Sequence, residues 1–465
     1  MPQVGWVALL AVLLWVTYGV GYVGYDGMFA LVWGRDLVHV EIPDFEGRGY
    51  PTPHPLLNLL TAALSPSGRA ADDVLLALST GSLALLGWAA YRFGAVLYGA
   101  LAGLVFAAIL LTRPVLVEYS LYAAIDVPFL ALVLIAARLA VQMPRRERPV
   151  LAVLLVAGLL RPEAWLLGLV YAAWVWPSTR RERLIVAALA LAAPVVWLAF
   201  DLVATGDPLH SLHGTSEAAE RIGRPRGFDT SLRAGPGFLE FILSEPIAWG
   251  GLAGCLLALF AFYRQSLVPL ALLALGLAGF VVLGVAGLPL LPRYLLVPSA
   301  MLALFCAVVL VGWRDVGRGP WRLGWIAAAV ALATAVALSV PDERDRLVAV
   351  DRATDARRSL ESRLLDVVDE PAAREALERC SPISVAGFRL VPLVAWSSDR
   401  GLDDVLDPYD SGRAASEAYV TISDPALSRS YLLQPGEEQA ALRPLPPGLE
   451  RKAANETWAV HARCP

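Results

Sequence analysis

Two short stretches of this chain carry residue types that could do chemistry. The first, GYDGMFALVWGRDLVHVEIPDFEGRGYPTPHPLL (residues 24–57), holds Asp26, Asp36, Glu41, Asp44, Glu46 and His54. A positioned carboxylate can take the proton of an attacking hydroxyl, so this stretch could supply a general base. The second, LLRPEAWLL, sets Arg161 two residues before Glu163 inside an apolar run. A guanidinium there suits phosphate, which it can hold through paired hydrogen bonds. Weaker signals accompany these two. Glu118 and Asp126 flank YSLYAAI, Arg293 and Tyr294 occur in GLPLLPRYLLVPSA, and TGDPLHSLHGT supplies Asp207, His210 and His213. Each has an ordinary reading as an interfacial anchor or a helix N-cap. Together they would place acids, arginines and histidines around one outer vestibule. His210 and His213 lack the flanking spacing of a zinc site. No cofactor is required by any motif, although a hard divalent cation (Mg, Mn or Ca) held by Asp26 and Asp126 with substrate phosphates would be chemically reasonable. Glycine loops for nucleotides and a Gly-x-Ser-x-Gly elbow are lacking, and no basic surface points to nucleic acid.

The elements that must position these residues are hydrophobic. Of 465 residues 57% are apolar and 17% charged, with mean hydropathy +0.58, too apolar for a soluble surface. Apolar runs near the length that crosses a roughly 30 Å hydrocarbon core occur at 4–23, 74–91, 95–112, 123–142, 184–204, 247–263, 267–288, 294–313 and 323–340. A further pair, 149–160 and 164–177, is interrupted by RPE. The fold expected is an all-α polytopic membrane protein with about eleven membrane segments. The first run has no basic leader and no small-residue cleavage site, and reads as a retained span.

Orientation follows from arginine. Connections assigned to the inside hold Arg92, Arg145, Arg146, Arg148, Arg180, Arg181, Arg183, Arg264, Arg314, Arg318 and Arg322 against Glu147, Glu182 and Asp315. The first long loop holds Arg35, Arg48 and Arg69 against Asp26, Asp36, Glu41, Asp44, Glu46, Asp72 and Asp73. The positive-inside rule puts the N-terminus in the cytoplasm of a multi-pass plasma-membrane protein and residues 24–73 outside. The net charge of −4 sums two faces of opposite bias and decides nothing.

The apolar pair around RPE is flanked by arginines on both sides, so both ends should lie inside. The 13 residues from Pro149 to Arg161 span only about 20 Å as a helix. The corner then lies at membrane depth, where a charge must pair or face water. Two readings stay open: an internal Arg161–Glu163 ion pair bracing a tight corner, and a polar floor for an anionic ligand.

From Pro341 the composition changes. PDERDRLVAVDRATDARRSLESRLLDVV reads as a charged amphipathic helix, and ISVAGFRLVPLVAW, AYVTIS and TWAVHA read as strands. Residues 1–340 therefore form a membrane domain and 341–465 a small extracytoplasmic α/β domain. Cys380 and Cys464 lie in that exported domain, which favours a disulfide over two free thiols. The sequon NET at Asn455 is a triplet common by chance.

These stretches resemble the integral-membrane glycosyltransferases of the GT-C fold, such as bacterial mannosyl- and arabinosyl-type transferases. YDGMFALVWGRDL is similar to the setting of that family's first catalytic carboxylate, which the resemblance assigns to Asp26. PTPHPL, with His54, resembles the stretch leading to the next helix, and IDVPFLALVLIAARLA resembles the second acidic site, Asp126. LLRPEAWLL looks like the short-hairpin turn and LPRYLLVPSA the setting of a late arginine, Arg293. Several subfamilies carry two acids at the first site, whereas Asp26 is followed by Gly27, which leaves Asp36 or Asp44 as substitutes. The resemblance covers roughly residues 1–340 and implies inverting sugar transfer from a polyprenyl-phosphate donor on the outer face of the membrane. The acceptor would be a cell-envelope glycan, lipid or protein. Asp126, Arg161, Glu163, Arg293, His54 and Glu118 would contact substrate. The segment MFALVWGRDLVHV would line the cavity or serve as a passive anchor, with Phe29 and Trp33 lying in the membrane interface.

A transporter or flippase of lipid-linked sugars could use the same buried charges, and a non-catalytic envelope-assembly protein could use the exported domain. The absence of two matching halves weighs against a transporter. Arginine replaces lysine everywhere except Lys452, which suggests a G+C-rich bacterial genome.

Overall fold

The computed structural model describes residues 3–464 apart from 46, 48–49, 144–145, 222, 407–416, 425–426, 428–430 and 433–441. Glu46, Arg48 and Arg145 of the charge counts above lie outside the described residues. In chain order the first helices are α1 (Gln3–Tyr18), α2 (Tyr25–Val38), α3 (Pro55–Leu64), α4 (Ala70–Tyr98), α5 (Ala100–Leu111) and α6 (Pro114–Leu121). Next come α7 (Asp126–Gln142), α8 (Glu147–Leu160), α9 (Glu163–Trp174), α10 (Arg180–Thr205), α11 (His210–Arg221) and α12 (Phe228–Leu243). The last are α13 (Glu245–Ala261), α14 (Tyr263–Val285), α15 (Leu296–Val311), α16 (Pro320–Val368), α17 (Pro371–Arg379) and α18 (Val391–Ser397). Among the described residues five strands follow the same order, β1 (Ile383–Val385), β2 (Val405–Leu406), β3 (Ala418–Ile422), β4 (Glu450–Ala454) and β5 (Trp458–Ala462). The chain packs as two units. One comprises residues 1–20, 54–56 and 75–351, the other 21–53, 57–74 and 352–465.

The first unit is a helical membrane body. Its centre is α15, buried along nearly its whole length. Helix α13 reaches it closely because Gly251 and Gly254 carry no side chain, and a Cβ at either would collide with the Leu302 or Phe305 carbonyl. Close backbone approach of this kind replaces the hydrophobic drive that lipid cannot supply. The outer helices are apolar on exposed faces instead: α1 shows Trp6, Leu13, Trp15 and Val16, and α14 shows Val282 and Val285. Among the described residues five helices are long and apolar enough to cross a membrane, or up to seven if two bent pairs each count as one span. The chain is a multi-pass membrane protein.

Both bent pairs are held by one arginine. Helices α5 and α6 meet at 61° and α12 and α13 at 108°. Each break leaves carbonyls without their helical partners. The Arg113 guanidinium donates to the Ile109 carbonyl at 3.3 Å and the Leu243 carbonyl at 2.7 Å, and pairs with Glu343 on α16 at 3.0 Å.

The second unit is built on a mixed sheet of order β2-β1-β3-β5-β4. β1 runs parallel to β2 and β3, while β3–β5 and β4–β5 are antiparallel. A disulfide joins Cys380 to Cys464. Trp458 on β5 donates to the Leu360 carbonyl at 2.7 Å, seating the sheet on the end of α16. Asn455 donates to the Arg363 carbonyl and accepts from the Thr457 and Trp458 amides, so its side chain is engaged in the β4–β5 turn.

Three expectations need correction. In ISVAGFRLVPLVAW only Ile383–Val385 is a strand, and a 3-10 turn at Phe388–Leu390 leads into α18. A fully buried run has no diagnostic period, and Pro392 fits the first helical turn. Secondly, the charged segment after Pro341 is no separate helix but continues the last apolar one, as α16 runs unbroken through that proline. Thirdly, α2 does not lie at an interface. Phe29 and Trp33 are fully buried, together with every residue from Gly27 to Asp36. Helix α18 packs on α2, and Thr61 of α3 donates to the Ala30 carbonyl at 2.6 Å. Phe29, Trp33, Phe45 and Tyr50 form a continuous aromatic stack beneath it.

Burial changes Asp36, named above as a possible substitute for the first catalytic carboxylate. Loss of solvent pushes its carboxyl up from 3.8 to about 6, with Arg35 opposing. A raised carboxyl binds more protons in the folded than in the unfolded protein between those values. Its contribution to stability is therefore fully present below about pH 4 and is lost as pH rises towards 6. Asp36→Asn should stabilise the protein at neutral pH by up to about 3 kcal/mol, and the gain should vanish below about pH 4. Thermal melts of both proteins in detergent across this range provide the check, and a pH-independent difference would refute the assignment.

Candidate active site

The α8–α9 corner is made by its sequence. Helix α8 ends at Leu160, Arg161 turns to extended backbone, and Pro162 starts α9 with Glu163 in its first turn. Trp165 donates to the Gly158 carbonyl at 3.0 Å and closes the corner. At about 21 and 18 Å, the two legs are short for a bilayer. Arg161 is only 4% exposed. Its Nη1 donates to Asp126 at the start of α7, while Nε and Nη2 donate to Glu163 Oε1 at 3.1 and 2.6 Å. The flat faces of the guanidinium meet Phe129 at 5.6 Å and Tyr294 at 5.2 Å. Asp126 Oδ2 and Glu163 Oε2 are buried and take no protein hydrogen bond among the described residues.

Other cations surround this core. The charges of Arg161, Arg293 and Arg224 all bear on the Tyr294 hydroxyl, and those of Arg293 and Arg161 bear on Tyr119. The charges of three arginines, from the α8–α9 corner, the segment before α12 and the 3-10 turn Pro292–Leu295, are thus felt at Tyr294, and two of them at Tyr119. Tyr119 and Arg224 carry no motif in the sequence. Their nearest signal is a tyrosine one residue after Glu118, and a basic RPR before α12.

Glu118 is exposed; its charge bears on Tyr119 together with those of Arg293 and Arg161, and the charge of Arg346 on α16 bears on Glu118 itself. His54 stacks edge-on against Trp197 at 5.6 Å, and Trp197 in turn meets Trp165 at 5.7 Å. His213 pairs with Asp207 at 2.7 Å, and the Ser211 amide and hydroxyl donate to Asp201 on α10, so these groups at the start of α11 satisfy one another. Asp207 carries its carboxyl below the usual range because the Leu209 amide and His213 favour the charged form. Among the described residues no group of three or more His, Cys, Asp and Glu side chains could hold a metal ion. Asp126 is engaged by Arg161, and a divalent cation on that carboxylate would compete with the guanidinium.

Asp26 belongs to the second unit. It stands in the first turn of α2, partly exposed, with Gly24 in the N-cap position. Tyr25 packs on Phe29 at 4.9 Å and on Phe388 at 6.0 Å, fixing the start of the helix. Asp36 lies 3.9 Å from Arg35, which itself bonds to Asp399 at 2.7 Å. Asp44 offers its backbone carbonyl to Trp33 at 2.8 Å.

The ion cluster at the corner has a measurable consequence. Removing one member of a buried pair leaves an uncompensated charge, at a cost of about 3–5 kcal/mol. Arg161→Met should destabilise the protein by that order, and adding Asp126→Asn should restore part of the loss. Denaturation of the two single variants and the double variant completes the cycle. An Arg161→Met protein as stable as the parent would show that the cluster bears no load.

No protein-family model and no curated protein matches this chain. Solved structures do. A crystal structure of ArnT from Cupriavidus metallidurans bound to undecaprenyl phosphate aligns over 99% of this chain and 98% of its own, with TM-score 0.58 and 15% identity. The oligosaccharyltransferase of Archaeoglobus fulgidus in its apo form aligns over 88% of this chain and 65% of its own, with TM-score 0.52 and 11% identity. The same archaeal protein, AglB, in complex with an inhibitory peptide and a dolichol-phosphate gives TM-score 0.50 at 11% identity, over 90% of this chain and 69% of that one. At these identities the likeness concerns architecture, and by that architecture the chain has the GT-C fold.

Proposed function

We propose that this protein is an inverting glycosyltransferase that moves a hexosyl or pentosyl group from a polyprenyl-phosphate donor to a cell-envelope glycan, lipid or protein acceptor. The observation that carries the reading is the convergence of Arg161, Arg224 and Arg293 on Tyr294, in a fold that ArnT adopts with undecaprenyl phosphate bound. Tyrosine hydroxyls and guanidinium N–H groups are the donors that a departing phosphate needs. As the bond between the anomeric carbon and the phosphate oxygen breaks, the electron pair stays on phosphate. Arginines aimed there stabilise the transition state more than the ground state. Arg161 has three of its nitrogens engaged by Asp126 and Glu163. Its role is to hold Tyr294 and to offer its remaining N–H groups, while Arg293 meets the phosphate directly.

The acceptor oxygen forms the new bond to the anomeric carbon from the opposite face and loses its proton to Asp26. Asp26 suits the base role by its partial exposure at the rigid start of α2. His54, near Trp197 and Trp165, would bound the substrate region in the membrane body. In this reading about eleven segments enter the membrane, counting the short α8–α9 legs. The N-terminus is cytoplasmic and the sheet-bearing domain extracytoplasmic, as the arginine asymmetry supports.

Asp26→Asn should keep expression and donor binding while turnover falls by about 10²–10⁴-fold. Arg293→Ala should weaken donor use, and Arg161→Lys, which keeps charge but loses the planar fork, should do so less severely. The assay is sugar transfer from polyprenyl-phosphate donors by purified protein. A fully active Asp26→Asn enzyme would move the base elsewhere. Topology is tested separately, with single cysteines at Ser67 and Arg264 after replacing Cys255 and Cys306. An impermeant thiol reagent should label the first in intact cells and the second only after permeabilisation, and the opposite pattern would invert the assignment.

A further inference from the structure

We propose that Arg92 and Arg138 form a second anion site, separate from the Arg161 cluster, that takes a phosphate oxyanion. Arg138 lies near the end of α7 opposite to Asp126, about 18 Å along the helix from it. Its guanidinium stacks over Trp88 of α4 at 5.3 Å. Arg92 follows Trp88 by one helical turn on the same face of α4. The charge bearing on Arg138 is that of Arg92, a like charge. Arg138 Nε is buried and has no protein acceptor, and among the described residues neither arginine has an ion-pair partner.

The buried Arg113 and Arg161 are each neutralised by carboxylates, Arg113 by Glu343 and Arg161 by Asp126 and Glu163. Arg92 and Arg138 are half-buried and have no carboxylate partner among the described residues, so their like charges repel without compensation. An anion resolves the imbalance. A phosphate presents two oxygens to a planar fork, and a tryptophan face behind the fork fixes its plane. The same chemistry belongs to the headgroup of an anionic membrane lipid and to free phosphate.

The test uses full-length protein in detergent and reads thermal unfolding. One arm titrates phosphatidylglycerol bicelles against phosphatidylcholine bicelles, and the other titrates inorganic phosphate against chloride at equal ionic strength. The parent protein should be stabilised in at least one arm: stabilisation by phosphatidylglycerol alone identifies a lipid headgroup, and stabilisation by phosphate identifies the free ion. The concentration needed should rise about fivefold for each arginine removed, in Arg92→Gln and in Arg92→Gln/Arg138→Gln. Arg92 is half-exposed, so the single variant decides the matter if the double variant does not fold. Arg264→Gln, at an exposed position on α14, should leave the titration unchanged. No stabilisation in either arm, or unchanged titrations in both Arg92 variants, would overturn the site.

Discussion

The ion cluster at Arg161 is the interaction on which the packing of α7, α8 and α9 depends. A guanidinium at 4% exposure is tolerable in lipid surroundings only if its charge and its N–H groups are met. Asp126 and Glu163 meet them, from the start of α7 and the start of α9. Because the two acids come from different helices, the ion cluster sets how α7, α8 and α9 sit against one another. Tyr294 is drawn in as the aromatic face over the same guanidinium. The position of the phenol is thus tied to the accommodation of one buried charge.

A second buried arginine solves a different problem. Broken spans leave carbonyls unsatisfied, and a bilayer has no water to satisfy them. Arg113 donates to carbonyls at both breaks and is neutralised by Glu343. Its role is architectural, whereas Arg161 lies over the ring of Tyr294, where the proposed donor phosphate would bind. Both arginines are buried and paired, and they differ in what surrounds them.

In the second unit, the start of α2 is held as firmly as a core element. Tyr25 against Phe29 and Phe388 fixes it, and the aromatic stack, the α18 cover and the Arg35–Asp399 ion pair hold the rest of the helix. A carboxylate at the first turn of such a helix has little freedom to drift. A catalytic base gains from that fixity, because proton transfer depends on geometry before it depends on basicity. The raised Asp36 shows the other side of the arrangement: burial that fixes the helix also removes water from an acid on it.

Local composition was enough to reveal the helical membrane body, because a span must be about 20 apolar residues whatever it packs against. The Arg-Pro-Glu corner was visible for the same reason, as charges inside an apolar run demand partners. That Arg161 would find Glu163 two residues away was readable, while Asp126, 35 residues earlier in the chain, became its partner only through packing of α7 on α8. The nature of α2 was not readable. Its alternating polar and apolar residues fit a surface helix, and only residues hundreds of positions later, in α18 and at Asp399, cover its polar side. The same holds for FRLVPLVAW, where complete burial erased the periodicity that separates helix from strand. Sequence determined which segments must leave water. Tertiary structure decided which charges they carried with them and who neutralised each one, because a Coulomb partner is chosen by distance in space and leaves no period along the chain.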